Sequence, residues 1–304
     1  MAMRHASFLT CLLTLVGVAA STATNAHAHS TGVAQDRDSK TASTERSTTI
    51  APRDAAANDT RPGEPKGERL VASIDNGSLE VVGDAKAKDT AIIASFTVDG
   101  EDAKDAERRA QTVRLFAERA SDGTIVVSTM FPGKAMPKDS VKVVIRVPET
   151  ADLALKSSNG TIESRATSGS LRANTKNGTI AVHGHTGSVE ASAANGRVEV
   201  LDAREHVRAT TANGDIRVVL ADGNDHPFEI ETKNGAVRVE VGAAFDGEVR
   251  MTTVNGAIRV EDGTKSARTP ESSDHAMTVE LGAGASHSTI ESNNGAVTLA
   301  VRAK

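Results

Sequence analysis

The chain has 304 residues, a formal net charge of −5, one cysteine, six phenylalanines, no tryptophan and no tyrosine. An acidic balance argues against nucleic acid and anionic lipid as partners, and the missing Trp and Tyr remove the usual platform for stacking sugars or bases. The one cysteine, Cys11, falls in an N-terminal leader, which excludes a thiol nucleophile, an iron–sulfur cluster and a cysteine zinc site from the rest of the chain.

Residues 1–28 read as a secretory signal peptide. Arg4 supplies the positive start, residues 8–20 form an apolar run too short to span a bilayer, and Ala26-His27-Ala28 is a small-x-small cleavage site. Cleavage before His29 would remove Arg4 and take the charge from −5 to −6. The expectation is an exported protein, periplasmic or extracellular, with no transmembrane segment once the leader is gone. Residues 29–67 are rich in Ser, Thr, Asp, Arg, Pro and Ala, with Val33 and Ile50 almost the only large apolar residues. Such a stretch buries too little to offset the entropy of ordering it, so a disordered linker is expected.

Residues 68–155 are less regular. Strand-like runs lie at 79–82, 91–96, 124–127 and 141–147. Between them, 101–120 reads as an amphipathic helix with Ala106, Ala110, Val113, Phe116, Ala117 and Ala120 on one face. This region is expected to form the N-terminal cap and first coils of the unit that follows.

Residues 156–304 keep time with an Asn-Gly dipeptide. It occurs at Asn159-Gly160, Asn177-Gly178, Asn195-Gly196 and Asn213-Gly214, then at Asn234-Gly235, Asn255-Gly256 and Asn294-Gly295. Weaker turn signals fall midway, at Ser168-Gly169, Thr186-Gly187 and Arg204-Glu205. Two residues after each Gly, or after Glu205 where the turn is degenerate, stands Ile162, Leu171, Ile180, Val189, Val198, Val207, Ile216, Val237, Ile258 or Val297, flanked by mostly polar neighbours. That is period-two alternation with a β-branched bias, the mark of a half-buried strand.

An antiparallel meander with Asn-Gly hairpins and a solenoid both fit this unit. The later spacings lengthen at 222–224 and 242–244 while the residues before each Asn-Gly stay regular, and insertions confined to one corner per coil favour the solenoid. The fold class expected is therefore all-β, a β-solenoid of about 18–21 residues per coil. Its coils would start at Gly160, Gly178, Gly196, Gly214, Gly235, Gly256, His275 and Gly295, giving a rod of roughly 35–40 Å. Stacked Asn amides would form a ladder, so the Asn-Gly pairs are structural corners.

The order of these features resembles the bacterial "putative adhesin" β-strand-repeat domain of unknown function, also called the toastrack domain. The resemblance rests on residues 73–81, the helix near 101–120, Asp122-Gly123-Thr124-Ile125, residues 147–155 and the string of Asn-Gly-x-Ile/Val units, and covers about 70–304. It implies an exported β-solenoid of the cell envelope and no catalytic residues.

Arg217, Arg238 and Arg259 stand three residues after successive corner glycines. Stacked like charges repel, so the column is a candidate ligand-binding face for an anionic envelope polysaccharide or an envelope protein. The alternative is a solvated face balanced by Glu199, Asp215, Glu240 and Glu261. His183 and His185 are spaced to share a strand face but have no third ligand, and Asp222, Asn224, Asp225 and His226 lack the spacing of a calcium loop. No metal or cofactor is expected. Acidic residues are scattered and single, and no nucleophile motif is present, so the reading is a non-catalytic adhesin-like protein that binds or scaffolds envelope components. A β-helix polysaccharide-active enzyme and a self-assembling scaffold, joined through an open C-terminal edge, are the alternatives.

Overall fold

Alternating residues on either side of each Asn-Gly pair form one strand before the corner and one after it. The chain stacks these coils into a β-solenoid. The structure is a computed structural model describing residues 29–34 (backbone only), 40–51, 67–265, 267–284 and 286–303. The expected signal peptide at 1–28 lies outside these residues.

Before the repeats come β1 (His29–Ala34), β2 (Thr41–Ile50), β3 (Glu68–Gly83), β4 (Thr90–Asp99), α1 (Ala103–Thr112), β5 (Arg114–Arg119), β6 (Ile125–Met130) and β7 (Ser140–Val147). The coils then run through β8 (Thr150–Arg165), which turns its own corner. They continue with β9 (Ser170–Asn177) and β10 (Ile180–His183), β11 (Val189–Asn195) and β12 (Val198–Ala203), and β13 (Val207–Asn213) and β14 (Ile216–Leu220). Next are β15 (Phe228–Asn234) and β16 (Val237–Val241), then β17 (Gly247–Asn255) and β18 (Ile258–Asp262). A hairpin of β19 (Arg268–Ser272) and β20 (Ala276–Leu281) precedes the last coil, β21 (His287–Asn294) and β22 (Val297–Val301).

Two parallel sheets face each other across a thin core. The first stacks β6, the start of β3, the start of β8, then β9, β11, β13, β15, β21 and β17. The second stacks β7, the ends of β3 and β8, then β10, β12, β14, β16, β22 and β18. Equivalent residues pair, as in Ile180↔Val198 and Val198↔Ile216, and all three are buried. Parallel pairing in this register rules out the meander.

The corners explain both residues of the dipeptide. At Gly160, Gly178, Gly196, Gly214, Gly235 and Gly295 φ lies between 138° and 158°, a region L side chains avoid. A Cβ there would also fall 1.7–2.1 Å from the carbonyl oxygen of the glycine one coil before. Close backbone approach demands glycine as strongly as the turn does. Each Asn Nδ2 donates to the Oδ1 of the preceding coil at 2.8–2.9 Å, in the order Asn76, Asn159, Asn177, Asn195, Asn213, Asn234, Asn294, Asn255. Inside the corner, buried Thr211, Thr232 and Thr253 hydroxyls donate to the carbonyls of Gly196, Gly214 and Gly295 at 3.1 Å. At these corners the small polar residue three before the glycine is thus a satisfied core donor, whereas the equivalent Ser157 hydroxyl is buried without a partner among the described residues.

The structure corrects four expectations. The last coil is threaded back between two earlier ones. β21 pairs with both β15 and β17, and β22 with both β16 and β18. An intact Asn-Gly corner accepts a neighbour on each side, whereas the stretch around His275 has no glycine to receive one. That stretch forms β20 instead, antiparallel to β17, with Met277↔Met251 and Val279↔Val249 in register. His275 therefore starts no coil, and the count of corners is restored by Asn76-Gly77 in β3.

Second, the C-terminal strand is interior rather than an edge. Among the described residues the unpaired edge of the second sheet is β18, which pairs there only with β22. Arg302 holds the chain end by donating to Leu220 O at 2.7 Å and Asp222 Oδ1 at 2.6 Å.

Third, the linker expected at 29–67 contains β1 and β2, and β2 pairs along its whole length with β4. Its inward residues are small, Ala42, Thr44 and Thr48 with Ile50. The edge of β4 supplies the hydrogen bonds that apolar content alone did not promise. Residues 35–39 and 52–66 lie outside the described residues.

Fourth, the helix expected over 101–120 ends at Thr112. Asp102 caps its start by accepting from Asp105 N at 2.8 Å, and Val113 turns extended at ψ 148°. Arg114–Arg119 becomes β5 because β6 offers it a ladder, and Phe116 faces solvent at 49 % exposure.

Candidate functional site

The arginine column lies on the outer face of the second sheet. Arg217 and Arg238 are cross-strand neighbours, but Thr298 of the inserted coil separates Arg238 from Arg259. The three are therefore not on successive coils in space. Arg217 lies 3.6 Å from Glu199 and 3.1 Å from Glu240, and Arg238 donates to Glu240 at 3.1 Å and to Glu261 at 2.9 Å. The bonds to Glu261 and Glu240 raise the Arg238 guanidinium above its ordinary value. Burial pushes Glu240 up, but the bonds from Arg238 and Arg217 outweigh it and hold this carboxylate below its usual range. Two of the three cations are thus occupied by carboxylates of the same sheet. Arg259 has no ion pair within 4.0 Å among the described residues.

A second charged array lies on the outer face of the first sheet. The cross-strand row runs Val126, Val71, Ala154, Arg172, Glu190, Arg208 and Glu229. Arg69 pairs with Asp152 at 3.4 Å, Arg172 with Glu190 at 2.8 Å and Arg208 with Glu229 at 2.6 Å. Strand alternation sends these side chains outward while Leu70, Leu153, Leu171 and Val189 point into the core. The row floors a shallow groove of about 430 Å³ whose lining includes Arg69, Val71, Asp152, Ala154, Arg172, Glu190 and Arg208. Cation and anion alternate at the coil spacing, about 4.8 Å. Sequence reasoning overlooked this row. Its signal was the 18-residue step from Arg172 to Glu190 to Arg208, but Arg69 and Val71 enter only through the long excursion between β3 and β8.

The histidines do not share a face. His183 ends β10, Gly184 follows at φ 62°, and His185 turns into the interior with 0 % exposure. Its Nε2 lies 3.0 Å from Gly169 O, which can only accept, so this nitrogen carries the proton. Nδ1 then accepts from the Thr167 hydroxyl at 2.9 Å, and Thr167 in turn lies 2.7 Å from Ser164 Oγ. Burial holds the ring below its ordinary value of 6.5, against smaller opposing contributions from the Gly169 and Ser188 backbone and Glu205. The folded state keeps the ring neutral while the unfolded ring protonates, so acid favours unfolding. Stability should fall as pH drops below 6.5, by at most about 1.4 kcal/mol per pH unit for this single proton. Urea midpoints across that range should lose this slope in His185→Gln, and an unchanged slope would assign it elsewhere.

The polar residues at 222–226 serve the fold itself. Asn224 is buried, donates to Ala203 O at 2.8 Å and accepts from His226 N at 2.9 Å, and Asp222 is taken by Arg302. Among the described residues, no three His, Cys, Asp or Glu side chains gather in a way that could hold a metal ion. No helix among them is long and apolar enough to cross a membrane.

Residues 144–295, half of the 304-residue chain, match the family described as "Domain of unknown function (DUF7330)". No curated protein matches. Among solved structures, a "putative cell adhesion protein" from Clostridium sporogenes ATCC 15579 is 13% identical, covering 85% of this chain and 99% of that one, at a TM-score of 0.34. A "putative adhesin" from Bacteroides fragilis NCTC 9343 is 12% identical, with 79% and 94% covered and a TM-score of 0.44. A "putative adhesin" from Parabacteroides distasonis ATCC 8503 is 9% identical, with 84% and 96% covered and a TM-score of 0.28.

Proposed function

We propose that this chain, which belongs to the DUF7330 family of domains of unknown function, is a non-catalytic exported protein that binds an extended polymer of the cell envelope along the outer face of its first sheet. The leader-like residues 1–28 support export. The observation that carries the binding reading is the groove on the first sheet, where Arg172, Glu190, Arg208 and Glu229 alternate in register beside the small apolar floor of Val71 and Ala154. Exposed pairs of this kind add little to stability, about 0–1 kcal/mol each. They do fix donors and acceptors at a regular pitch. An anionic polysaccharide, with carboxylates and hydroxyls along its length, can exchange its own groups for those of the ladder coil by coil. Repetition makes many weak contacts add up.

The test is co-sedimentation of the full chain with isolated envelope polysaccharide across a salt series. Arg172→Glu combined with Arg208→Glu should weaken binding by at least about tenfold, since each loses an attraction and adds a repulsion. Reversal of Arg217, Arg238 and Arg259 should change it less, because Glu199, Glu240 and Glu261 already occupy the first two. Unchanged binding in the first variant sinks the groove, and release of reducing sugar from the polymer would replace the proposal with an enzymatic one. A second reading, self-association, has the unpaired edge of β18 in its favour, although Arg259, Glu261 and Asp262 along that edge are the charges that discourage strand addition. Light scattering of the full chain over a concentration series decides it.

A further inference from the structure

Asn-Gly sequences carry a reaction of their own. The glycine amide nitrogen gives up its proton and attacks the asparagine Cγ. The Cγ–Nδ2 bond breaks, ammonia leaves, and water opens the resulting succinimide to aspartate or isoaspartate. A chain with this dipeptide at one corner of each coil would be expected to accumulate such damage throughout. The ladder prevents it in two ways. Each corner glycine N–H donates to the asparagine carbonyl of the next coil, as in Gly178→Asn195, Gly196→Asn213 and Gly214→Asn234 at 2.8 Å, Gly235→Asn294 at 2.9 Å and Gly295→Asn255 at 3.0 Å. The nucleophile must leave that bond before it can lose its proton. Each interior asparagine is also held at both ends, its Nδ2 donating to one neighbour and its Oδ1 accepting from the other. Gly77 and Gly160 lie inside the continuous strands β3 and β8.

One corner escapes both restraints. Because the final coil is threaded back, Asn255-Gly256 and not Asn294-Gly295 ends the stack. No coil lies beyond it to accept the Gly256 N–H, and among the described residues that group has no acceptor. Asn255 donates to Asn294 Oδ1 at 2.8 Å, but among the described residues its own Oδ1 has no donor. Residues 254–257 are all exposed, Val254 by 61 %.

We infer that Asn255-Gly256 is a built-in site of spontaneous succinimide formation, with deamidation or isomerisation confined to it while the protein stays folded. The consequence is local. Aspartate at 255 places a carboxylate against Asn294 Oδ1 where a donor stood, and isoaspartate adds a methylene to the backbone between β17 and β18. Either change loosens the terminal coil and frees the next corner, so damage would spread inward from this end.

The experiment is time-resolved peptide mapping by mass spectrometry, with isoaspartyl detection, on the folded full chain in mildly alkaline buffer and on the same chain in denaturing urea. In the folded protein, conversion at Asn255 should be at least about tenfold faster than at any other Asn-Gly, since end coils open more readily than interior ones. In urea the preference should vanish, because all Asn-Gly pairs then share one local chemistry. Conversion led by another corner, or spread evenly in the folded chain, overturns the inference. So does an equal preference for Asn255 in urea, which would assign the effect to neighbouring residues rather than to the fold.

Discussion

Gly196→Ala should destabilise the protein by at least about 3 kcal/mol, enough to remove much of the margin of an ordinary domain. Two costs combine. At φ 146° the backbone occupies a region nearly closed to L side chains, worth about 1–3 kcal/mol. The new methyl would then lie 1.8 Å from the Gly178 carbonyl oxygen and 2.6 Å from its carbon. That neighbour is backbone and is itself stacked on Gly160, so relief requires prising coils apart across the ladder. Gly223→Ala is the matched control. It also has positive φ, 81°, but nothing lies within 4 Å of the added carbon, so only the conformational cost of about 1–2 kcal/mol should appear. Urea midpoints of the two variants separate the explanations. If both fall equally, the corner glycines are required for φ alone and close coil approach is not what fixes them.

The contrast shows what the sequence made legible. Period, alternation and β-branched bias were local signals, and they located the corners and the inward row from Ile162 to Val297 without any knowledge of neighbours. The order in which coils stack was not local. Nothing in the residues 294–301 says that they pair between β15–β16 and β17–β18 rather than at the end, because a coil with an intact corner stacks equally well in either place. That single exchange separated Arg238 from Arg259 by Thr298 and undid the arginine column as a continuous feature. The groove row failed for a related reason. Arg69 and Asp152 are register partners only because 84–149 form a separate cap before the chain returns to β8. The helix was overextended because Leu115, Phe116 and Ala117 suit either period, and the free edge of β6 decided for a strand.

That cap makes the second large prediction. Solenoid stability is a sum of coils and their interfaces, so an end held by antiparallel strands and a helix should fail as a unit without dissolving the rest. A buried pair fastens its helix. Asp139, with a fully buried side chain, accepts from Arg109 at 2.8 Å, from Asp99 N at 2.9 Å and from Met136 N at 2.8 Å. Arg109 reaches out of α1 to donate also to Pro132 O at 3.3 Å and Lys134 O at 3.1 Å. Helix, β4 and the loop before β7 therefore meet at a single carboxylate. Asp139→Ala strands the guanidinium and two backbone donors in a dry site, a loss of about 3–5 kcal/mol. Hydrogen exchange gives the decisive readout. Amides of α1, β4, β6 and β7 should lose protection together while those of β11 to β16, farther along the stack, keep theirs. Equal loss along the whole stack would mean that the cap and coils form one cooperative unit, and the nearest-neighbour account of this solenoid would have to be abandoned.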